Sequence, residues 1–580
     1  MKFEFMDNNE NNDYSGKRIN SLFFVLVIIA LIIGIRLFQI AVLENKSYLA
    51  QAESQHRVIE EVPAHRGKIY AQSYNSNDKF EMAINLSLYA LTAVPKQILN
   101  KEEAAREIAG ILDVGKNEIL EKIKGTDAYI PPLAHKLSLE QAEAMEKKDI
   151  KGIYLVPEEW RYYPEGKLAA PLIGYVDTEG KGNYGVEGYY NQELSGDSGA
   201  FFAEKDVKGR YIQISAKSDP QDGSDLILSI DRSVQYFAEN LISKSVEKYG
   251  AKGGEIIIVD PKTFEIIAMA SDKSFDPNNY AKEAREKTVN VFTNPNTANT
   301  YEPGSVLKVM TMAAGLDSGT VTAATEETFP AYVEVQGYKI WTWDKKAHGK
   351  ENMTQVLETS NNVGAVFVQQ RMGKSTFYDY FSDHFGFGEK MGIDLDSESP
   401  GKLEPLRQMQ DVEAATIAFG QGIAATPLQV VLSFAAMANN GKMLEPHVVK
   451  QIIEHRGDKE EVKDIQPKFV RQVVSAETAK IIKEMMKNVV LYGYGKEAQV
   501  PGYTIAGKTG TAQIPGAGGY LEDKTIHSFV GMAPADNPKF VVLIKLDEPA
   551  TSPWASYTAT SVFSEMASYL FKYYQIPPDS

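Results

Sequence analysis

The 580-residue chain contains no cysteine, which excludes disulfides, thiolate metal sites and a cysteine nucleophile. It has no Walker-type phosphate loop, no His-Glu-x-x-His and no Gly-x-Gly-x-x-Gly opening a helix. Signatures of nucleotide hydrolysis, zinc proteolysis and dinucleotide binding are therefore missing. Positive charge is in deficit: 61 Lys and Arg against 77 Asp and Glu leave a net charge of −16. That balance argues against nucleic acid as a partner. The eight histidines show no ligand spacing, so no metal and no cofactor is expected. What remains, 43% hydrophobic and 24% charged, is a globular composition.

One long apolar run interrupts an otherwise mixed sequence. Residues 19–35 read INSLFFVLVIIALIIGI, the run continues past Arg36 to Leu43, and Lys17 and Arg18 flank its amino side. About 20 apolar residues cross a bilayer as a helix, and a basic flank marks the cytoplasmic side. Residues 17–43 are thus expected to be an uncleaved anchor. The Ala50-Gln-Ala52 motif lies too far beyond it for a signal-peptide cleavage site. Residues 1–16 read as a cytoplasmic tail, and the rest as extracytoplasmic, on a single-pass protein of the cytoplasmic membrane.

After the anchor, apolar spacing predicts helices over 48–57, 101–124 and 139–148, with β-like runs such as 86–94 between them. This mixed stretch, 44–224, carries no catalytic cluster. From Asp225 the texture changes. A hairpin over 254–259 and 264–270 is matched by another over 528–532 and 540–545, and 559–573 reads as an amphipathic helix. Strands at both ends of a helix-rich middle predict one α+β domain, 225–580, whose sheet is closed by its own carboxyl-terminal strands.

Chemistry concentrates in Tyr301-Glu-Pro-Gly-Ser-Val-Leu-Lys308. A Pro-Gly turn delivers Ser305 to the first turn of an apolar helix, where Lys308, three residues on, shares its face. A serine hydroxyl needs a base to become a nucleophile. Lysine serves if burial or a second cation makes its neutral form accessible. The helix start also aims backbone N–H groups and a positive dipole end at developing negative charge. Ser-x-x-Lys recurs at Ser76, Ser245 and Ser399, all expected to be surface accidents. Gly196-Asp-Ser-Gly199 copies a chymotrypsin-like signature but reads as turn chemistry without a matching histidine context. Two further motifs follow Ser305 in order: Ser360-Asn361-Asn362 between two helical segments, and Lys508-Thr509-Gly510-Thr511 in an alternating strand-like run. Ser-x-x-Lys, Ser-x-Asn and Lys-Thr-Gly together form the set of penicillin-binding proteins and class A β-lactamases. The Trp341-Thr-Trp343 pair is expected to be packed aromatics rather than cleft lining.

With these motifs the chain resembles the class B penicillin-binding proteins, membrane-anchored peptidoglycan D,D-transpeptidases. Arg66-Gly-Lys-Ile69, Arg161-Tyr-Tyr-Pro-Glu-Gly166, Gly185-Val-Glu-Gly188, Phe275-Asp-Pro-Asn278 and Gly420–Gln429 are similar to further family motifs. Ala71 replaces the acidic residue of the first box, so no interdomain contact is assigned to it. The resemblance implies a pedestal over 44–224 and a transpeptidase domain over 225–580. It implies Ser305 as nucleophile, Lys308 as base, Ser360 as proton relay, Asn362 as ligand of Lys308 and substrate, and Lys508 as source of positive potential. Thr509, Gly510 and Thr511 would bind the substrate carboxylate, with the backbone N–H groups of Ser305 and Thr511 as oxyanion hole. The implied partners are D-Ala-D-Ala stem peptides, lipid-linked nascent glycan, penicillins, a SEDS-family glycosyltransferase and other divisome membrane proteins. The length and the 185–188 stretch lean to the septal type. An elongation-type enzyme and a silent β-lactam sensor or divisome scaffold are the alternatives. A β-lactamase would need a deacylating Glu-x-x-Leu-Asn, absent between Ser360 and Lys508.

Overall fold

The computed structural model describes residues 11–45, 57–74, 78–127, 130–205, 211–286, 291–457, 459–516 and 519–579. They fall into two compact units: residues 1–64 with 197–221, and residues 65–196 with 222–580.

The first unit opens with a helix, Asn11–Phe38, that continues as a π-helical turn, Gln39–Leu43. Ile19–Leu43 is long and apolar enough to cross a membrane. Its large side chains are exposed, which fits a single-pass membrane anchor. A three-stranded antiparallel sheet follows, Arg57–Val62 pairing with Gly199–Lys205 and that strand with Tyr211–Ser218. Most of the helix expected over 48–57 lies outside the described residues, and Arg57 itself begins a strand.

In the second unit the expected 101–124 helix is two, Lys101–Leu112 and Lys116–Ile123. Asp113 ends the first in a left-handed conformation at φ 54°, a common helix stop. The sheet of this region crosses the expected boundary at 224. Ile69–Gln72 pairs in parallel with Asp225–Asp231 on one side and antiparallel with Phe80–Ala93 on the other. Asp225–Asp231 pairs in turn with Val449–Arg456. Strand pairing, invisible to local patterning, puts residues 65–196 and 222–580 in one unit.

A buried charge cluster fixes this region. Glu187 is fully buried and accepts from Arg66 Nε and Nη2 at 2.9 and 2.7 Å and from Arg161 Nε at 2.7 Å. Burial pushes the Glu187 carboxyl up, but the two guanidiniums prevail and hold it below its ordinary value. Three motifs apart in sequence thus close on one carboxylate, while Ala71 packs into the apolar core.

The carboxyl-terminal sheet has the order Ile266–Ser271, Gly253–Val259, Phe540–Asp547, Gly519–Ala533, Ala506–Gly516, antiparallel throughout. Both expected hairpins are in it. Helices Arg232–Tyr249 and Ala559–Tyr573 cover one face with a core of their own. The other face packs on a helical lobe centred on Pro427–Ala438, every residue of which is buried. The α+β expectation holds, and Ala506–Gly516 is left at the sheet edge.

Candidate active site

Ser305 lies in a 3-10 turn, Gly304–Leu307, that leads into the buried α-helix Lys308–Asp317. It is therefore one turn ahead of the α-helix rather than inside its first turn, as the apolar run had suggested. The turn is pinned from two sides. Tyr301 bridges Ala425 and Gly304 N–H donates to Gly420 O at 3.0 Å. Gly304 takes φ 61°, and a Cβ there would lie 3.0 Å from that of Ala512. On the strand side, a Cβ on Gly510 would meet Pro303 O at 2.8 Å and Ser528 Oγ at 2.5 Å. The glycine of Lys-Thr-Gly is what lets the edge strand press against the serine turn.

Lys308 does not hydrogen-bond Ser305; among the described residues the Ser305 hydroxyl has no hydrogen-bond partner. Its Nζ meets Ser360 O at 2.5 Å, Ser360 Oγ at 3.2 Å and Asn362 Oδ1 at 2.7 Å. Lys508 Nζ approaches the same hydroxyl, 3.0 Å from Ser360 Oγ, and also contacts Thr509 O at 3.2 Å. Ser360 Oγ is thus the bridge between two buried lysines, exposed by only 1% and 0%. Among the described residues no carboxylate pairs with either. Burial, and then the charge of Lys508, push Lys308 well below its ordinary value. Burial pushes Lys508 down to about 7. Both shifts favour the neutral amine that a base requires.

Ser360 is presented by a strained turn. It adopts φ 54°, uncommon for a residue with a Cβ. Asn361, fully buried, caps the Asn362–Met372 helix by accepting from Gly364 N–H at 3.1 Å and donates to Glu351 at 2.8 Å. Asn362 also donates to Trp341 O at 2.9 Å.

A cleft of about 200 Å³ opens onto this cluster, lined by Ser305, Ser360, Thr509, Thr511, Trp343 and Trp554 among others. Thr511 Oγ1 accepts from Ala555 N–H at 3.2 Å, leaving its hydroxyl hydrogen for a ligand. The edge position of the strand leaves one side of its backbone without a strand partner, so an extended peptide can pair there. The sequence-selected side chains Ser305, Lys308, Ser360, Asn362, Lys508, Thr509 and Thr511 therefore gather around one groove.

Trp343 corrects the expectation of a packed aromatic: it stands 38% exposed in the cleft, edge-on to Tyr494 and Trp554 at 5.3 and 5.2 Å. Tyr494 and Trp554 were missed because nothing local links residues so far apart. Ser245 is also corrected. It is buried in a helix, bonded to Leu241 O, rather than at the surface. Ser399 accepts from Gly401 N–H through its hydroxyl and donates its own N–H to Thr297 O, and Ser76 lies outside the described residues.

Comparison with known proteins agrees with the geometry. A model described as the penicillin binding protein transpeptidase domain matches residues 254–568, and one for the penicillin-binding protein dimerisation domain matches 61–228. The chain is 34% identical over 477 residues to Stage V sporulation protein D of Bacillus subtilis, covering 81% of this chain and 73% of that protein. It is 28% identical over 580 residues to Peptidoglycan D,D-transpeptidase FtsI of Buchnera aphidicola, covering 98% and 97%. Penicillin binding protein 3 of Mycobacterium tuberculosis, in its crystal structure with aztreonam, superposes with a TM-score of 0.69 at 26% identity. That match covers 90% of this chain and 98% of the other.

Proposed function

This chain belongs to the penicillin-binding protein transpeptidase family and is a peptidoglycan D,D-transpeptidase; from that premise we propose how its residues carry the reaction. Ser305 Oγ attacks the carbonyl between the two terminal D-alanines of a stem peptide, and its proton passes to neutral Lys308. The C–N bond then breaks. The departing amine takes a proton through Ser360 Oγ, which touches both lysines, and D-alanine leaves an ester on Ser305. An amine of a second stem peptide takes the acyl group and makes the cross-link. Asn362 orients Lys308. Thr509 and Thr511 bind the terminal carboxylate in the potential of Lys508, beside a glycine, Gly510, that admits the backbone. The N–H groups of Ser305 and Thr511 stabilise the oxyanion, a contribution of roughly 10²–10³ per donor. Penicillins, as amides with a similar end, enter the same path and remain as esters because their leaving group stays tethered.

The observation that carries this reading is the convergence of two buried, uncompensated lysines on Ser360 Oγ at the mouth of the Ser305 cleft. The test is D-alanine release and dimer formation from lipid-linked nascent glycan, wild type against Ser305→Ala. The variant is expected to make neither product, and dimer formation by it would refute the assignment.

We further propose a single-pass protein with a cytoplasmic amino terminus, a pedestal over 44–224 and the catalytic domain outside the membrane. A SEDS-family glycosyltransferase and other divisome membrane proteins would be its partners. A septal role is favoured over elongation by the length of the chain and the Gly185–Gly188 stretch. Fluorescent penicillin should label the septum, and lateral-wall labelling alone would favour elongation. A silent sensor or scaffold would leave Ser305→Ala cells dividing normally.

A further inference from the structure

Cross-linking needs two substrates, and a second groove joins the Ser305 cleft. It measures about 360 Å³, and Tyr494, Ser556 and Tyr557 line both cavities. Its wall is packed rather than accidental. Glu358 ends the Met353–Glu358 helix two residues before Ser360. A Cβ on Gly493 would lie 2.5 Å from Glu358 O and 2.9 Å from Glu358 Cα, so the 491–495 turn is seated directly against it. Lys496 and Glu497 follow in a 3-10 turn.

Charge separates the two cavities. The Ser305 cleft is lined by hydroxyls and aromatic rings, whereas Glu358, Lys496 and Glu497 face the second groove. Among the described residues none of these three forms a hydrogen bond or ion pair through its side chain. Burial, and then nearby Glu351, push the Glu358 carboxyl up. An ordered groove with two unmatched carboxylates and one unmatched ammonium, opening beside an acyl-serine, suits a ligand of complementary charge.

We propose that this groove binds the acceptor peptide by a diamino-acid side chain that ends in an ammonium and a carboxylate, with Glu358 and Glu497 holding the ammonium and Lys496 the carboxylate. The inference rests on the D,D-transpeptidase reading above. Transfer forms the C–N bond to the acyl carbon and breaks the acyl C–Oγ bond. One amine proton returns to Ser305 Oγ through Lys308, and the extra proton of the ammonium goes to solvent.

The test uses the full chain in detergent micelles with a stem-peptide thioester donor. Two synthetic acceptor peptides are offered, one with diaminopimelate and one with lysine at the third position. Glu358→Gln and Glu497→Gln should each raise the acceptor KM and lower the ratio of transfer to hydrolysis by about fivefold, the worth of an exposed ion pair. Lys496→Gln should do so only for the diaminopimelate acceptor. Labelled penicillin reads the acylation step separately and should react with all three variants at wild-type rates. Unchanged transfer ratios in the glutamate variants overturn the groove, and an equal response of both acceptors to Lys496→Gln overturns the carboxylate contact. Absence of penicillin acylation in the wild type would overturn the D,D-transpeptidase reading and this one with it. Normal acylation with unchanged transfer overturns this one alone.

Discussion

The backbone carbonyl of Ser360 accepts a 2.5 Å hydrogen bond from Lys308 Nζ while Ser360 itself is held at φ 54°. The left-handed turn is what lets one residue offer both carbonyl and hydroxyl to the same lysine. A left-handed residue with a Cβ costs about 1–2 kcal/mol that glycine avoids. Ser360→Gly should therefore unfold at higher denaturant than Ser360→Ala, by about 1 kcal/mol, although both lose the bridging hydroxyl and acylate slowly. Equal stability would show that the turn is unstrained.

The lysine pair predicts a pH signature. With Lys308 as the proposed base, acylation needs its neutral form, so the rate should rise with pH through the depressed value that burial and Lys508 impose. Removing the second cation in Lys508→Gln lets that value climb, and the rising limb of penicillin acylation should move to higher pH. An unmoved limb would mean that Lys508 does not act on Lys308. The same substitution has a stability reading. Lys508 is pushed from 10.5 to about 7, so between those values the unfolded chain binds more protons and native stability rises with pH. Lys508→Gln should flatten that rise.

Gly510→Ala tests the contact between strand and serine turn. Its Cβ would stand 2.5 Å from Ser528 Oγ and 2.8 Å from Pro303 O, so the turn must retreat. A protein that folds but is acylated about 10²-fold more slowly is expected, because small misplacements at a reacting centre cost that much. Wild-type acylation in a folded variant would contradict the packing argument.

Lys545 anchors the same face from below. Its Nζ meets Glu255 at 2.9 Å and Asp547 at 2.6 Å and lies 5.3 Å from the ring of Tyr301, four residues before Ser305. Burial would lower its pKa, but the two carboxylates outweigh burial and raise it. Lys545→Met should cost about 3–5 kcal/mol by leaving buried Glu255 unpaired. Adding Glu255→Met should recover most of that loss in chemical denaturation. A double variant no better than the single would refute the pairing.

Much of this was legible in the chain. The apolar run to Leu43, the two hairpins and the last helix follow from composition and spacing, and the order of Ser305, Ser360 and Lys508 picked out residues that the fold brings to one cleft. Three things were not. The break at Asp113 is one left-handed residue inside a continuous helical pattern. The sheet that joins Ile69–Gln72 to Asp225–Asp231 is a long-range pairing with no local mark. The placement of Trp343, and of Tyr494 and Trp554 beside it, depends on chain segments more than 100 residues apart, where aromatic residues read alike whether they pack or line a cleft.

The central claim is that Ser305 is acylated with Lys308 as its base. Full-length protein in micelles, treated with penicillin and digested, should carry the added mass on the peptide containing Ser305 in the wild type. Ser305→Ala should carry none, and Lys308→Gln should acylate at least 10²-fold more slowly. An adduct on any other residue, or undiminished acylation in Lys308→Gln, would contradict the account.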